Sequence, residues 1–161
     1  MIWNLLKKLN VKQLIKLLVF FLRDPWYAIP TVSATIKCMR IANEKFGATH
    51  HGNNQANAFR HALWNILIIK QCSQWRKGAS KATLWAKKIT EWHEKFSPNE
   101  PLERDMDLHN NHVGRLLFSE IDTNTDEEIV IFITEKAKNA QRIRNPKDIE
   151  KFPETLIYIS E

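Results

Sequence analysis

Apolar residues recur at helical spacing along most of this chain, and clusters of proline, glycine and serine separate the helical stretches. The pattern predicts six helices, over about residues 1–23, 31–46, 55–76, 80–96, 101–118 and 126–144. Only four glycines and no long alternation of apolar and polar residues argue against a sandwich or barrel. We therefore predict an all-α fold, a single compact domain over residues 1–161 with a motif-bearing core over 50–118 and an extended C-terminal tail.

Breaks and caps follow from local residue types. The break between the first two helices is expected to run from Asp24-Pro25 through Pro30, because proline cannot donate a hydrogen bond within a helix. Ser80 is the expected N-cap of the fourth helix, and Thr125 or Asn124 that of the last.

The stretch 47–54 is rich in glycine, asparagine and histidine and is predicted to be a loop. His50 and His51 are expected to be solvated there, because no third ligand lies at a metal-type spacing. Cys38 and Cys72 also lack such spacing, so we expect two buried thiols.

The first helix has one apolar side, formed by Val11, Leu14, Ile15, Leu18, Phe21 and Leu22. This side either packs on the domain core or lies on a bilayer surface, and the sequence leaves both placements open. The uninterrupted apolar run 17–22 is far shorter than the roughly 20 residues of a spanning helix. There is also no small-residue cleavage site, so we expect neither a transmembrane helix nor a signal peptide. The cytoplasm is the default location, with peripheral membrane attachment or export by a dedicated system as alternatives.

A net charge of +6 favours anionic partners, either an acidic lipid surface or a phosphate-containing substrate. Basic residues concentrate in the N-terminal segment and again from residue 77 to 95, just before and along the fourth helix: Lys7, Lys8, Lys12, Lys16 and Arg23, then Lys77, Lys81, Lys87, Lys88 and Lys95. No cluster of aromatic residues and arginine forms a base-stacking platform, which argues against sequence-specific nucleic-acid binding.

Candidate chemistry is concentrated in three short clusters, at residues 57–65, 92–94 and 105–115. In the first, Asn57, His61 and Asn65 share one polar side of an otherwise apolar helix, with Arg60 adjacent. Because buried polar groups need partners, such a side indicates either a site or an internal hydrogen-bond network.

The second and third clusters lie on the next two helices. His93 falls inside an apolar stripe and Glu94 at its edge, and since neighbours diverge by about 100 degrees, only one is expected to point straight into a site. In the third cluster Asp107, Asn110, Asn111 and Gly114 share one side. Gly114 predicts either a close helix contact or space for a ligand.

We expect the three clusters to meet in one pocket. The catalytic candidates are His61, His93, Glu94 and Asp107, with Arg60, Asn65, Asn110 and Asn111 as substrate-binding candidates. A divalent metal ion is a candidate cofactor, with His61, His93, Asp107 and His109 as ligands. This pocket favours a hydrolase acting on a phospholipid or nucleic acid, although a non-enzymatic binding or membrane-surface module with a structural polar network remains the alternative.

The three clusters resemble an uncharacterised bacterial domain family with the ordered motifs NAFRHAxWN, HE and DxxNNxxGR, matched here at 57–65, 93–94 and 107–115. The resemblance covers about residues 50–118 and implies a small helical domain, sometimes found at the ends of larger bacterial proteins of toxin type. It suggests hydrolytic activity without a substrate. It also emphasises the following residues: Arg60, His61, Trp64, Asn65, His93, Glu94, Asp107, Asn110, Asn111 and Gly114. His109 and His112 lie at variable positions of the pattern.

Overall fold

The computed structural model of the chain describes residues 11–75, 78–122 and 125–160. These residues form six α-helices, α1 (Val11–Arg23), α2 (Pro25–Phe46), α3 (Gln55–Trp75), α4 (Ala79–Phe96), α5 (Pro101–Leu117) and α6 (Asp126–Lys138). Two-residue strands β1 (Gln141–Arg142) and β2 (Ile157–Tyr158) pair in parallel. Short 3-10 helices span Gly47–His51, Phe118–Glu120 and Pro146–Lys151. The all-α prediction is confirmed.

Helix α3 forms the centre of the molecule and packs against α2, α4, α5 and α6. Thirteen of its 21 residues are buried, because it is apolar on nearly every side. Three polar residues of α3, Asn57, His61 and Asn65, are therefore held inside the protein, where each needs a partner.

Helices α3 and α5 come into direct backbone contact at Gly114. A Cβ atom at this position would lie 2.6 Å from the Cα and 2.7 Å from the carbonyl oxygen of Ala62. Of the two explanations for Gly114, the close helix contact is therefore the one observed. This contact brings the polar side of α5 against that of α3.

Helix α2 begins at Pro25, so the predicted break through Pro30 is wrong. Pro25 occupies the first helical position, where a backbone N–H would have no partner within the helix. Pro30 lies just over one turn later and removes only one hydrogen bond of the helix. In α1, Phe20 and Phe21 pack on Trp85, whereas Ile15, Leu18 and Leu22 are exposed. The predicted apolar side is therefore divided, because Phe21 packs on the core and Ile15, Leu18 and Leu22 do not.

The predicted N-terminal part of α1, residues 1–10, lies outside the described residues, as do the side chains of Val11 and Leu14. Arg76, Lys77 and Asn124 lie outside them as well. Among the helices that are described, none combines the length and the apolar character that crossing a bilayer requires.

The predicted loop after α2 forms a 3-10 helix that buries His50 completely. Its Nε2 lies 2.8 Å from the Oδ1 of Asn43, so the expectation of a solvated His50 was wrong, while His51 is exposed as predicted. Cys38 and Cys72 are buried thiols, as predicted, and burial raises the pKa of these thiols to about 12 and about 11.

Helix ends depart from the predictions in two places. Gly78 and not Ser80 precedes α4, whereas Thr125 caps α6 as predicted by accepting a hydrogen bond from the Glu128 N–H. Helix α6 ends at Lys138 instead of about 144, because the chain beyond it pairs with the C-terminal segment. That segment packs on the core, as expected, and within it Ile157–Tyr158 form the short strand β2.

Candidate functional site

Three side chains from three helices meet beside the contact between α3 and α5. His61 comes from α3, Glu94 from α4 and Asp107 from α5, and each side chain is at most 5% exposed. The Nδ1 of His61 lies 3.5 Å from the Oε1 of Glu94, and its Nε2 lies 3.2 Å from the Oδ1 of Asp107. One ligand atom from each residue lies within 4.8 Å of the others. We call these three residues the central cluster.

The two carboxyl groups of the central cluster are unusual because they are buried together. Burial raises the pKa of both Glu94 and Asp107, and the carboxylate of Asp107 raises that of Glu94 further. The Oε2 of Glu94 and the Oδ1 of Asp107 receive no hydrogen bond from a donor in the described residues. A buried pair of this kind is stable when the two groups share either a proton or a cation.

His61 is electrically neutral in this environment. Burial lowers its pKa well below the usual value, and the nearby Arg60 guanidinium lowers it further. Because the Nη2 of Arg60 can only donate and lies 2.7 Å from the Nε2 of His61, we assign Nε2 as the unprotonated nitrogen. The Nδ1 then carries the proton and faces the Oδ1 of Asn111 at 3.2 Å. The Nε2 lone pair therefore accepts from Arg60, and it can bind a ligand on the side that faces Asp107 only after the Arg60 guanidinium moves away.

Asn111 links the central cluster to a row of polar groups behind it. Its Nδ2 donates to the Oε1 of Glu94 at 2.9 Å, and its Oδ1 accepts from the Nδ2 of Asn65 at 2.7 Å. The Oδ1 of Asn65 in turn accepts from Arg115 at 3.0 Å and from Thr90 at 3.5 Å. These bonds fix the orientation of both amides, so Asn65 acts on the cluster through Asn111.

The outer side of the cluster is bordered by half-buried polar side chains. Asn99, in the loop before α5, donates to the Oδ2 of Asp107 at 2.9 Å. His93 packs edge-on against Trp64 with ring centroids 5.2 Å apart, and burial lowers its pKa to about 4. Arg60 is also half-buried, and its Nε has no partner in the described residues.

The structure separates the predicted site residues into two groups. Glu94 points into the cluster and His93 lies beside it, in keeping with the divergence of neighbours on a helix. His109, a predicted metal ligand, lies elsewhere, because its Nε2 is 2.9 Å from the carbonyl oxygen of Thr155. Asn110, predicted to bind substrate, uses both amide atoms on the backbone of Ile157, each at 2.9 Å.

Sequence reasoning gave no role to three residues that contact the network. Thr90 lies one turn before Glu94 and Arg115 one turn after Asn111, so helical spacing would have placed both on the right sides. Asn99 lies in a loop outside any periodic pattern. Its contact with Asp107 was not accessible to that reasoning.

The central cluster fits a divalent cation. One imidazole nitrogen and two carboxylates form a mixed donor set that suits Zn²⁺, Mn²⁺ or Fe²⁺. The hydrogen bonds of Asn111 and Asn99 to the two carboxylates are the kind of support that orients metal ligands. Among the residues expected as ligands, the structure brings His61 and Asp107 together with Glu94, whereas His93 lies beside this cluster and His109 lies elsewhere.

Comparison with known proteins adds a family and no activity. No curated protein matches the chain, and no solved structure does. Residues 18–141 match a family described as a domain of unknown function, DUF6973. This match includes α2 to α6 and every residue of the central cluster. The chain therefore belongs to the DUF6973 family.

Proposed function

We propose that this protein is a hydrolase whose reaction centre is a divalent cation bound by His61, Glu94 and Asp107. The observation that carries the proposal is the meeting of three ligand side chains, from three helices, in a buried position. Two of their carboxylate oxygens lack a donor among the described residues. Such oxygens are rare in protein interiors, and a bound ion is one of the few explanations for them.

Charge balance makes a measurable prediction for the proposed cation. With both carboxyls ionised, Glu94 and Asp107 carry two negative charges against the single positive charge of Arg60. A proton on the carboxyl pair makes the cluster neutral, and a divalent cation in place of that proton leaves one positive charge. Binding of the cation should therefore release about one proton at neutral pH.

Each surrounding residue has a distinct role in this proposal. When bound, the cation supplies an activated water molecule and polarises the substrate. Asn111 and Asn99 hold the carboxylates of Glu94 and Asp107 in position. His93 is neutral and half-buried, so it is the imidazole that can accept a proton from the attacking water.

Arg60 selects the class of substrate. Its guanidinium is half-buried next to His61, and its Nε has no partner among the described residues. A guanidinium in this position favours an anionic group, and a phosphate ester matches both the arginine and the metal centre. We therefore propose a phosphate-containing substrate.

The test is hydrolysis of bis(p-nitrophenyl) phosphate by the full chain after chelator treatment and reloading with Mn²⁺ or Zn²⁺. Wild-type protein should release p-nitrophenol only when a cation is present. Asp107→Asn and Glu94→Gln should lower the rate by about 100-fold or more, because each removes a charged ligand. His112→Ala, an exposed position on α5, is the matched control and should retain full activity. A metal-independent rate, or equal rates in all variants, would contradict the proposal.

One observation favours a second candidate, a non-enzymatic module in which the cluster is a structural network. Asn65 and Asn111 find every partner inside the protein, and both are at most 1% exposed. The same variants separate the two candidates. In a structural network Glu94 is already protonated, so Glu94→Gln leaves stability unchanged or raises it, and no cation binds.

A further inference from the structure

Helices α1 and α2 both carry large apolar side chains that no described residue covers. Eight such side chains are more than a third exposed, and Leu22 and Ile29 are 69% and 62% exposed: Ile15, Leu18, Val19, Leu22, Trp26, Ile29, Val32 and Ile36. We call this set the outer face. The opposite sides of the same helices pack on the core through Phe21, Tyr27 and Cys38. An open groove along α2 runs beside this face.

Such a patch is larger than scattered surface residues explain. Single exposed apolar side chains are normal, but eight on two consecutive helices mark a surface that binds something. Helix α1 has the strongly two-sided character of helices that lie at a membrane interface. Trp26 is a residue type that accumulates at that depth of a bilayer.

The net charge of the chain is located in the same part of the sequence. Residues 1–43 hold seven lysines and arginines and one acidic residue, whereas residues 44–161 hold 17 of each sign. Within α1, Lys12, Lys16 and Arg23 follow at i, i+4 and i+11, which is one side of a helix. The outer face therefore belongs to a segment that carries the whole excess charge of +6.

We propose that the outer face binds the surface of an anionic lipid bilayer. Its apolar side chains would enter the interface, and the basic residues of the segment would contact acidic headgroups. A second copy of the chain fits less well, because its outer face would bring the same positive charge into contact. Nucleic acid would leave the eight apolar side chains in water, with no stacking platform to use them.

The experiment is co-sedimentation of the full chain with vesicles. One preparation contains phosphatidylcholine with a quarter phosphatidylglycerol, and the other contains phosphatidylcholine alone. The test variant is Leu22→Gln/Ile29→Gln. The matched control is Leu84→Gln/Ile131→Gln, which changes two side chains that are equally exposed, at 61% and 64%, on α4 and α6. Circular dichroism melting confirms that each variant is folded.

The wild-type chain and the control variant should sediment with the anionic vesicles. Their binding to neutral vesicles should be weaker by about tenfold or more. The test variant should lose about tenfold or more of its anionic binding. Equal loss in both variants, or no binding by the wild-type chain, would overturn the proposal. So would a wild-type dimer in sedimentation equilibrium that the test variant abolishes without any vesicle binding. Because the readout is sedimentation, the result does not depend on whether the central cluster hydrolyses anything.

Discussion

At the scale of single residues, burial determines the charge of each group that the site uses. It keeps His61 and His93 neutral and holds a proton on the pair formed by Glu94 and Asp107. Residue-scale chemistry was only partly predictable from the sequence. Helical spacing identified the residues, but which of His93 and Glu94 reaches the central cluster depends on the rotation of α4 in the packed structure.

His50 provides a test of burial that is independent of the central cluster. Burial lowers its pKa from 6.5 to about 4, so on acidification the unfolded chain takes up a proton before the folded protein does. Its contribution to stability is complete above about pH 6.5 and is lost as the pH falls toward 4. In urea unfolding, the free energy of unfolding should therefore fall less between pH 7 and pH 5 in His50→Gln than in wild type. The two decreases should differ by about 1–2 kcal/mol.

The exposed neighbour gives the control for this measurement. His51→Gln should reduce the difference between the two pH values only slightly, because burial, the largest cause of the lowered His50 pKa, remains and only the smaller effect of the His51 charge is removed. Equal behaviour of the two variants would mean that His50 titrates normally.

Gly114 tests the contact between α3 and α5. Alanine normally favours a helix over glycine by about 1 kcal/mol, but here its Cβ would lie 2.6 Å from the backbone of Ala62. The steric clash with Ala62 should outweigh the higher helix propensity of alanine. Gly114→Ala should therefore lower the free energy of unfolding by about 1–3 kcal/mol in a denaturant titration. An increase in stability would show that the helices are further apart than described.

At the scale of elements, α5 uses two sides for two purposes. Asp107 and Asn111 face the central cluster, whereas Asn110, about 100 degrees from Asn111, holds the C-terminal segment. The sequence placed all of them on one side and so assigned Asn110 to substrate. It could not show that Ile157 would lie beside α5, because that contact joins residues 47 positions apart.

Replacement of Asn110 should release the C-terminal segment without affecting the centre. Asn110→Ala removes both hydrogen bonds to Ile157 and leaves its buried backbone groups without partners. Amide exchange of residues 156–159 should become at least tenfold faster, and stability should fall by about 2 kcal/mol. Cation affinity should stay within a few-fold of wild type. If Asn110→Ala lowered the cation affinity as much as Asp107→Asn does, Asn110 would have to contribute to the cation site.

At the scale of the whole molecule, the helical periodicity was sufficient to predict the fold class and the approximate positions of the helices. It failed where tertiary contacts override local signals, as at the buried His50 and at the end of α6. The meeting of the three clusters could be expected because each lies on a helix with apolar residues at helical spacing, and such a helix packs against others. The ligand set within the cluster was not, since it depends on helix rotation and on loop residues such as Asn99.

Cation binding should stabilise the folded protein. A ligand at 100 times its dissociation constant adds about 2.7 kcal/mol, which for a chain of this size corresponds to a rise of about 5–10 °C in the melting temperature. Differential scanning fluorimetry with Mn²⁺ or Zn²⁺ should show this rise in wild type and in His109→Ala, but not in Asp107→Asn. A rise in Asp107→Asn as well would place the cation elsewhere.

The most direct measurement is an anomalous-scattering map from crystals of the full chain grown with Mn²⁺ or Zn²⁺. If His61, Glu94 and Asp107 bind a cation, the map should show one strong peak. This peak should lie about 2.0–2.3 Å from an imidazole nitrogen of His61 and from carboxylate oxygens of Glu94 and Asp107. A map with no peak among these three residues, or with its peak at His109, would contradict the proposed cation site in the central cluster.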